Sequence, residues 1–357
     1  MPTETTQPRR PTLLDVARHA GVAKSTASAV LNGKSGKYAV SPDKRDAVLR
    51  AVQALEFSAN PHAQRLVLRR DTGTIGLFTL DLDAGVGMQK LRHIQHRLVQ
   101  DGYNVPIYSA GGLDETNSEA CVKLIRSLCV QRPAAIVIMA IEVQEMHPEL
   151  VRFQEEGGTL IIFDHTWGID CDQVVFDRDH NTYEAASYLL RLGHRRVGLF
   201  IDGCAPVEKS PRFGGFVRAM REYGAEIRPE WLMTSGTFFT STIQEGGGEV
   251  LARKFLELSD RPTAMCVVND ASAAAFISTL ERTGLRVPQD VSVVGHDDFP
   301  ISRIYPTRIS TVSHPVDEIV QHVAALLLSR LRGEYSGASR LVKVHGALIP
   351  RDSACAV

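Results

Sequence analysis

The sequence contains no long hydrophobic run and no paired cysteine motif. Its longest apolar run, AAIVIMAI at 134–141, is too short to cross a bilayer, and its first ten residues, MPTETTQPRR, lack the apolar core of a secretion signal. Six cysteines are scattered without CxxC or CxxxC spacing, which is typical of reduced thiols. These absences predict a cytoplasmic protein with no membrane partner.

Motifs for catalysis and metal binding are also missing. The stretch GGFVRAM lacks the spacing of a GxGxxG phosphate loop, and none of GxxxxGK[ST], HExxH and GxSxG occurs. The twelve histidines form no convincing metal-binding cluster with Asp, Glu or Cys. Asp297 and Asp298 are neighbours in sequence, which does not make a general acid and base pair across a cleft. We therefore predict that the chain is not an enzyme and needs neither a cofactor nor a metal.

Charge is unevenly distributed along a chain whose net charge is only −1. Residues 1–70 contain 12 Lys+Arg against 5 Asp+Glu, a balance of +7, whereas the remainder contains 28 against 36, a balance of −8. A basic N-terminal part suits contact with phosphates, and an acidic body does not. The imbalance therefore indicates that nucleic acid meets the N-terminal part, with a chance fluctuation as the alternative.

Two short apolar stripes lie either side of Gly21. They occur at helical spacing and consist of Val16, Ala17 and Ala20, then Ala27, Val30 and Leu31. The outer face of the second helix carries short or cationic side chains: Lys24, Ser25, Ser28, Ala29 and Asn32. A helix of this kind can bring hydrogen-bonding groups to base edges in the major groove. The pattern predicts a helix-turn-helix, and a helical hairpin in a larger domain is the alternative.

A third helix and a linker follow. Ser41-Pro42 suits the N-cap and first turn of that helix, whose apolar stripe closes a small core. In the linker, Asn60-Pro61 can begin a short helix that presents Ala63, Leu66 and Val67 on one side. So short a helix is marginal alone in water, and we expect it to be ordered only when something packs against it. A plain flexible linker is the alternative.

From Thr74 onward, short β runs alternate with amphipathic helices, and the pattern restarts at QVVFDRD. Two successive βα arrays predict two doubly wound lobes with parallel sheets and a cleft at the carboxyl ends of the strands. Polar residues are expected at those strand ends: Asp81, Asp164, Asn269, Asp270 and Asp297. We interpret Asp270 as the N-cap of the following helix and Asp298 as structural.

The predicted fold class is an N-terminal all-α helix-turn-helix domain plus a hinge helix, joined to an α/β two-lobed sensor domain. The predicted boundaries are a disordered tail over 1–10, the helix-turn-helix domain over 11–57, the hinge helix and linker over 58–72, and the sensor over 73–357. Within the sensor, lobe 1 is expected at about 73–173 plus 313–331, and lobe 2 at about 174–312 plus 332–357.

Motifs along nearly the whole chain occur in one specific order: TLLDVARHAGV, VLNG, SPDKRDAVLRAVQALEF, ANPHAQRL, LRLGHRRVGL, TAMCVVND and DVSVVGHDD. In these stretches the chain resembles the LacI/GalR family of bacterial transcriptional repressors. The resemblance implies a sensor of the periplasmic-binding-protein type I fold that binds a small-molecule effector, a sugar or related polyol. It also implies a nucleoid-associated homodimer on double-stranded operator DNA. A regulator that acts mainly as an activator, or without releasing DNA, is the alternative.

In that family, two hinge helices meet in the minor groove, where a leucine from each wedges a base step apart. Leu66 holds that position, and Ala63 is small enough for the helices to approach. The DNA-contacting residues that we predict are Thr12, Leu13, Lys24, Ser25, Thr26, Ser28, Ala29, Asn32, Asn60, Ala63 and Leu66. Ala29 replaces the basic residue with which most relatives read a guanine, so Lys24 is left as the main charged reader.

By similarity to family members, four residues fall at positions that hold the effector: Asp164, Arg212, Asn269 and Asp297. Phe238 falls where an aromatic ring stacks on the effector, with Phe239 as the alternative. Together with Asp81, the predicted effector-binding residues are Asp81, Asp164, Arg212, Phe238, Asn269 and Asp297. Carboxylates that accept hydroxyl protons and a guanidinium fork that donates a paired bond suit a polyol. The loop DLDAGVGMQK departs from the family pattern, because it lacks the stacking aromatic residue of the first lobe.

Overall fold

The computed structural model describes residues 11–31, 40–55, 73–80, 82, 85–111, 118–203, 205–236 and 244–357. The chain divides into two compact units, Met1–Thr72 and Gly73–Val357. Among the described residues, no helix combines the length and the apolar character that crossing a membrane requires.

The described part of the N-terminal unit consists of helices α1 (Leu13–His19), α2 (Lys24–Leu31) and α3 (Pro42–Ala54). Helix α1 begins with a capping box, which the sequence reasoning missed: the Thr12 hydroxyl accepts from the Asp15 N–H, and the Asp15 carboxylate accepts from the Thr12 N–H at 2.8 Å. The turn to α2 requires a left-handed residue, and Gly21 supplies it with a φ of 64°.

A small hydrophobic core holds the three helices together. Its buried residues come from all three: Val16, Ala17, Ala27, Val48 and Ala51. Val22 packs against this core from the turn. The predicted helix-turn-helix with its closing third helix is therefore confirmed.

The second unit contains two six-stranded sheets. The strands of the first sheet are β1 (Ile75–Thr79), β2 (Ile107–Ser109), β3 (Ala135–Met139), β4 (Thr159–Asp164), β5 (Asp172–Phe176) and β11 (Leu341–Val344). They are all parallel and lie in the order β11-β5-β4-β3-β1-β2. The helices that cover its faces are α4 (Gly85–Gln100), α5 (Ser118–Val130), α6 (His147–Glu155) and α12 (Val316–Leu331). We call this sheet and its helices lobe 1.

The second sheet has the same architecture, and with its helices it forms lobe 2. Its strands are β6 (Val197–Ile201), β7 (Leu232–Thr234), β8 (Ala264–Val267), β9 (Ser292–Asp297), β10 (Ser310–Ser313) and β12 (Leu348–Ile349). They lie in the order β12-β10-β9-β8-β6-β7, with only β12 antiparallel. Its helices are α7 (Arg178–Arg191), α8 (Phe213–Glu222), α9 (Gln244–Glu257), α10 (Asp270–Arg282) and α11 (Pro300–Ile304). Two doubly wound lobes are therefore confirmed.

Strands β5 and β11 correct the predicted lobe boundaries. The sequence pattern assigned residues from 174 onward, and again from 332 to the end, to lobe 2. In the structure β5 pairs with β4, and β11 pairs with β5, with Leu341 opposite Gln173. Lobe 2 thus begins at α7, and among the C-terminal strands only β12 joins it. The chain consequently passes between the lobes three times, after β5, β10 and β11.

A buried carboxylate explains why β11 joins lobe 1. Asp172, at the start of β5, is only 2% exposed. It accepts from Arg330 at the end of α12 at 2.8 Å and from Arg340, just before β11, at 2.6 Å. Both guanidinium groups lie over the ring of Tyr335, 4.7 and 4.0 Å from its centroid. These contacts fasten the segment between α12 and β11 to the first sheet.

We expect the ion pairs of Asp172 with Arg330 and Arg340 to make the stability of the protein depend on pH in the acid range. Burial acts to raise the pKa of Asp172, but hydrogen bonds from Arg330 and Arg340 prevail and lower that pKa to about 2. Its stabilising effect is therefore complete above the ordinary carboxyl pKa near 4 and is lost as the pH falls towards 2. Asp172→Asn should lower the free energy of unfolding by about 2 kcal/mol at neutral pH.

Denaturant unfolding of the full chain at pH 7 and pH 3 tests this expectation. The difference between wild type and variant should shrink at the lower pH. Asp352→Asn, in the exposed pair with Arg308, is the matched control and should change stability little. A difference of equal size at both pH values would contradict the role of the Asp172 charge.

Candidate functional site

The outer face of α2 carries the side chains that the sequence singled out for DNA. Lys24 and Ser25 are exposed in its first turn, and Thr26, Ser28 and Ala29 are partly exposed. In α1 and before it, Leu13 packs in part against the core of the three helices, and Thr12 caps the helix. The remaining predicted contacts lie outside the described residues: Asn32, Asn60, Ala63 and Leu66.

The carboxyl ends of strands from both lobes border one cleft of about 550 Å³. Four predicted effector-binding residues line it: Asp164, Arg212, Asn269 and Asp297. Asp81 and Phe238 lie outside the described residues. The cleft wall also contains ionisable residues that the sequence reasoning did not select: Lys90, Arg178, Asp202, Lys209 and His314.

Asp164, at the end of β4, is fully engaged by basic side chains. The Lys90 ammonium donates to its Oδ1 at 2.6 Å, and the Arg178 guanidinium donates to its Oδ2 at 3.0 Å. Burial alone would raise the pKa of Asp164, but Arg178 and Lys90 hold it well below its usual range. Lys90 is itself only 2% exposed. Asp164 therefore borders the cleft as the centre of a buried ion cluster rather than as a free acceptor.

His314 connects this cluster to lobe 2. Burial lowers the pKa of His314 to about 4, so the ring is neutral at pH 7. Its Nδ1 lies 3.1 Å from Oδ1 of Asp297, at the end of β9, and its Nε2 lies 3.3 Å from Nζ of Lys90. Because the carboxylate needs a donor and the ammonium an acceptor, the tautomer that satisfies both carries its proton on Nδ1. Asp164, Lys90, His314 and Asp297 thus form a continuous polar chain from lobe 1 to lobe 2.

Both carboxylate residues of this polar chain have an unusual backbone conformation. Asp164 has a φ of 79° and Asp297 a φ of 95°, in the left-handed region that non-glycine residues rarely adopt. Such conformations cost on the order of 1–3 kcal/mol each, and they cluster at functional sites. The strain at both strand ends therefore favours a functional role for this edge of the two sheets.

Arg212, at the start of α8, is buried, and one of its two terminal guanidinium nitrogens binds to the protein. Its Nη2 donates to the Val268 carbonyl at 3.2 Å, whereas its Nη1 has no hydrogen-bond partner in the part of the chain that the structure describes. Burial lowers the pKa of Arg212 to about 10, which leaves the guanidinium charged at neutral pH. An unpartnered donor in a cleft wall can bind a ligand oxygen.

The residues around the end of β8 correct one interpretation. Asn269, not Asp270, is the N-cap of α10, because its side-chain oxygen accepts from the Ser272 N–H at 2.8 Å. Asp270 lies inside the helix, fully buried, and accepts from the Phe299 N–H at 2.8 Å. Sequence position alone could not separate two adjacent capping residues. The structural role of Asp298 is confirmed by its ion pairs with Arg303 and Arg351.

Two family profiles match the sequence. One, described as bacterial regulatory proteins of the lacI family, matches residues 12–60, and the other, a periplasmic binding protein-like domain, matches residues 186–354. Similar proteins include the HTH-type transcriptional repressor PurR of Pasteurella multocida (strain Pm70), 29% identical over 96% of this chain and 98% of its own length. The NTD biosynthesis operon regulator NtdR of Bacillus subtilis (strain 168) is 27% identical over 96% of this chain and 99% of its own.

Solved structures share the fold. The lac repressor dimer bound to operator and the anti-inducer ONPF superposes with a TM-score of 0.76 at 23% identity, covering 98% of this chain and 100% of that one. The complex of the transcriptional regulator CelR with cellobiose gives a TM-score of 0.67 at 24% identity, covering 96% and 100%.

Proposed function

Because this chain belongs to the lacI family of bacterial regulatory proteins, whose members are regulators and not enzymes, we propose that it is a transcriptional repressor controlled by a small molecule bound in its cleft. We further propose that it acts as a homodimer on a near-palindromic operator. One helix-turn-helix reads too few base pairs for useful specificity, and two related by symmetry read two half-sites.

One observation carries this proposal: a helix-turn-helix and a polar, strained cleft occur in the same chain. Lys24 and Ser25 are exposed on the helix that would enter the major groove. The cleft lies between two lobes that are connected by three chain crossings, so a ligand that contacts both lobes can change their relative position. Binding at one site can thereby bias the other.

The effector that we propose is a sugar or a related polyol. The cleft combines donors and acceptors that suit hydroxyl groups, among them Nη1 of Arg212 and the Asp297 carboxylate. The guanidinium can hold a ligand oxygen while the carboxylate accepts a hydroxyl proton. Asp81 and Phe238 remain predicted contacts of this effector.

A substitution in α2 tests the DNA-binding half of the proposal. Lys24→Ala should weaken binding to an operator selected from random DNA by about 10-fold or more, because a good base contact contributes about 1–3 kcal/mol and each dimer has two. Binding to unrelated DNA should fall much less. Fluorescence anisotropy of labelled DNA at fixed salt measures both affinities.

Arg50→Ala is the matched control, since Arg50 is an exposed cation on α3 outside the helix-turn-helix. It should leave the ratio of operator to unrelated affinity unchanged. If Lys24→Ala weakened binding to both DNAs equally, Lys24 would be a phosphate contact, and the predicted base-reading role would be wrong.

A further inference from the structure

Asp202 differs from the other two carboxylates of the cleft that the structure describes. Asp164 is paired with Lys90 and Arg178, and Asp297 accepts from His314. Asp202, which follows β6 directly, has no ion pair with any described side chain. Its Oδ1 is buried and has no hydrogen-bond partner among the described residues, and its Oδ2 is 3.5 Å from Nδ2 of Asn269.

The described neighbours that contact Asp202 directly are neutral, so no opposite charge is paired with it. Among the described residues, those that face it are Ser235 after β7, whose hydroxyl hydrogen-bonds to the carboxylate, Asn269 before α10, and Arg212 at the start of α8. Arg212 acts on Asp202 through charge alone, without a hydrogen bond, and its own Nη1 has no partner among these described residues. The same cleft therefore contains an acceptor and a donor that no described residue satisfies, which is costly unless a ligand binds both.

We propose that Asp202 is a specificity-determining residue that selects an effector with a protonated amine next to an oxygen acceptor, the chemistry of an amino sugar or amino polyol. The ammonium donates to Oδ1 of Asp202, and the adjacent oxygen accepts from Nη1 of Arg212. A neutral hydroxyl would donate the hydrogen bond that Oδ1 needs but would leave the buried negative charge unpaired. An ammonium donates the same hydrogen bond and also neutralises the charge. This inference rests on the proposed function, because it concerns the occupant of the same cleft.

The protonation of Asp202 agrees with this role. Burial raises the pKa of Asp202 to about 6, although Arg212 and the Ser235 hydrogen bond lower it. A carboxyl whose pKa is raised by folding destabilises the fold above that pKa, where it is charged in both states. The penalty disappears as the pH falls below the ordinary carboxyl pKa near 4. A cationic ligand would remove the same penalty at neutral pH.

The first arm of the test uses the ligand-free full chain. Asp202→Asn should raise the Tm at pH 8 by about 2–4 °C, because it removes an unpaired buried charge, and the gain should vanish near pH 4. Asp297→Asn is the matched comparison and should lower the Tm, since its carboxylate is hydrogen-bonded by His314. A lower Tm for Asp202→Asn at pH 8 would show a satisfied structural carboxylate and overturn the proposal.

The second arm uses matched sugars as probes: D-glucosamine against D-glucose, and D-galactosamine against D-galactose. Calorimetric titration of the wild type should show at least about 10-fold tighter binding of the amine in one pair, and Asp202→Asn should abolish that ratio. If the hydroxyl sugar bound equally well or better, amine selection would be wrong while the proposed polyol effector stood. If no probe bound and none changed operator affinity, both proposals would fail.

Discussion

Arg212→Ala should abolish the response to effector while leaving the operator affinity of the ligand-free protein close to wild type. Arg212 lines the cleft and is 6% exposed, with Nη2 fixed on the Val268 carbonyl and Nη1 buried without a partner among the described residues. Removing it deletes the ligand contact that we propose but no group of the N-terminal unit. Because allosteric coupling is typically about 1–3 kcal/mol, the wild type should show about a 5- to 150-fold change in operator affinity with effector, and the variant none.

An anisotropy titration of operator DNA, with and without an effector found in a thermal-shift screen of sugars, amino sugars and polyols, measures this loss. Arg218→Ala is the control, because Arg218 lies on the same helix but makes an exposed ion pair with Asp179 at 2.7 Å. It should retain the full shift. If Arg212→Ala also retained it, Arg212 would be a structural group, and the assignment of the cleft would be wrong.

The largest loss of stability is expected from Asp164→Asn. The variant keeps the shape of the side chain and tolerates the left-handed backbone, but it leaves the ammonium of Lys90 buried without a counter-charge. Breaking one partner of a buried ion pair costs about 3–5 kcal/mol. Burial already lowers the pKa of Lys90. The destabilisation should therefore be largest where Lys90 is protonated and diminish as rising pH removes that proton.

A second substitution separates charge from shape. Lys90→Met in the Asp164→Asn background should recover much of the lost stability, because the stranded cation is removed. Asp101→Asn, in the more exposed pair with Arg97, serves as the control and should change the free energy of unfolding little. If Asp164→Asn were as mild as this control, the polar chain between the lobes would not hold them together. Thermal unfolding of the full chain at several pH values measures all three variants.

Much of the fold follows from local sequence patterns. The spacing of apolar residues around Gly21, and the alternation of β runs with amphipathic helices, are properties of short stretches, and both predictions are confirmed. The sheet that a strand joins is not a local property. Strand β5 resembled the start of a new array, yet it lies in lobe 1. Its residue Asp172 contacts Arg330 and Arg340, which are 158 and 168 residues away, and these contacts hold β11 beside β5 in the same sheet.

The sequence reasoning selected the strand-end acceptors of the cleft except Asp202, and it selected the buried cation Arg212 but not Lys90. Lys90 occupies an apolar phase of α4, four residues after Val86 and four before Ile94, and this break in the stripe was a usable signal. Asp202 follows a buried strand just as Asp164 does, and the same reasoning could have found it. Nothing in the sequence around His314 indicates that its ring connects Lys90 to Asp297, because that contact depends on how the lobes meet.

The three chain crossings also govern how this protein is made. Each sheet is completed by a strand from the end of the chain, β11 at Leu341–Val344 in lobe 1 and β12 at Leu348–Ile349 in lobe 2. The DNA-contacting unit, by contrast, ends at Thr72. At synthesis rates of about 5–20 residues per second, a ribosome delivers that unit on the order of ten seconds or more before either sheet can close. During that interval β5 presents an unpaired edge of the kind that templates aggregation. Translation that stops before Leu341 therefore releases the N-terminal unit attached to two open sheets, a chain with its DNA-contacting helices but without a finished sensor.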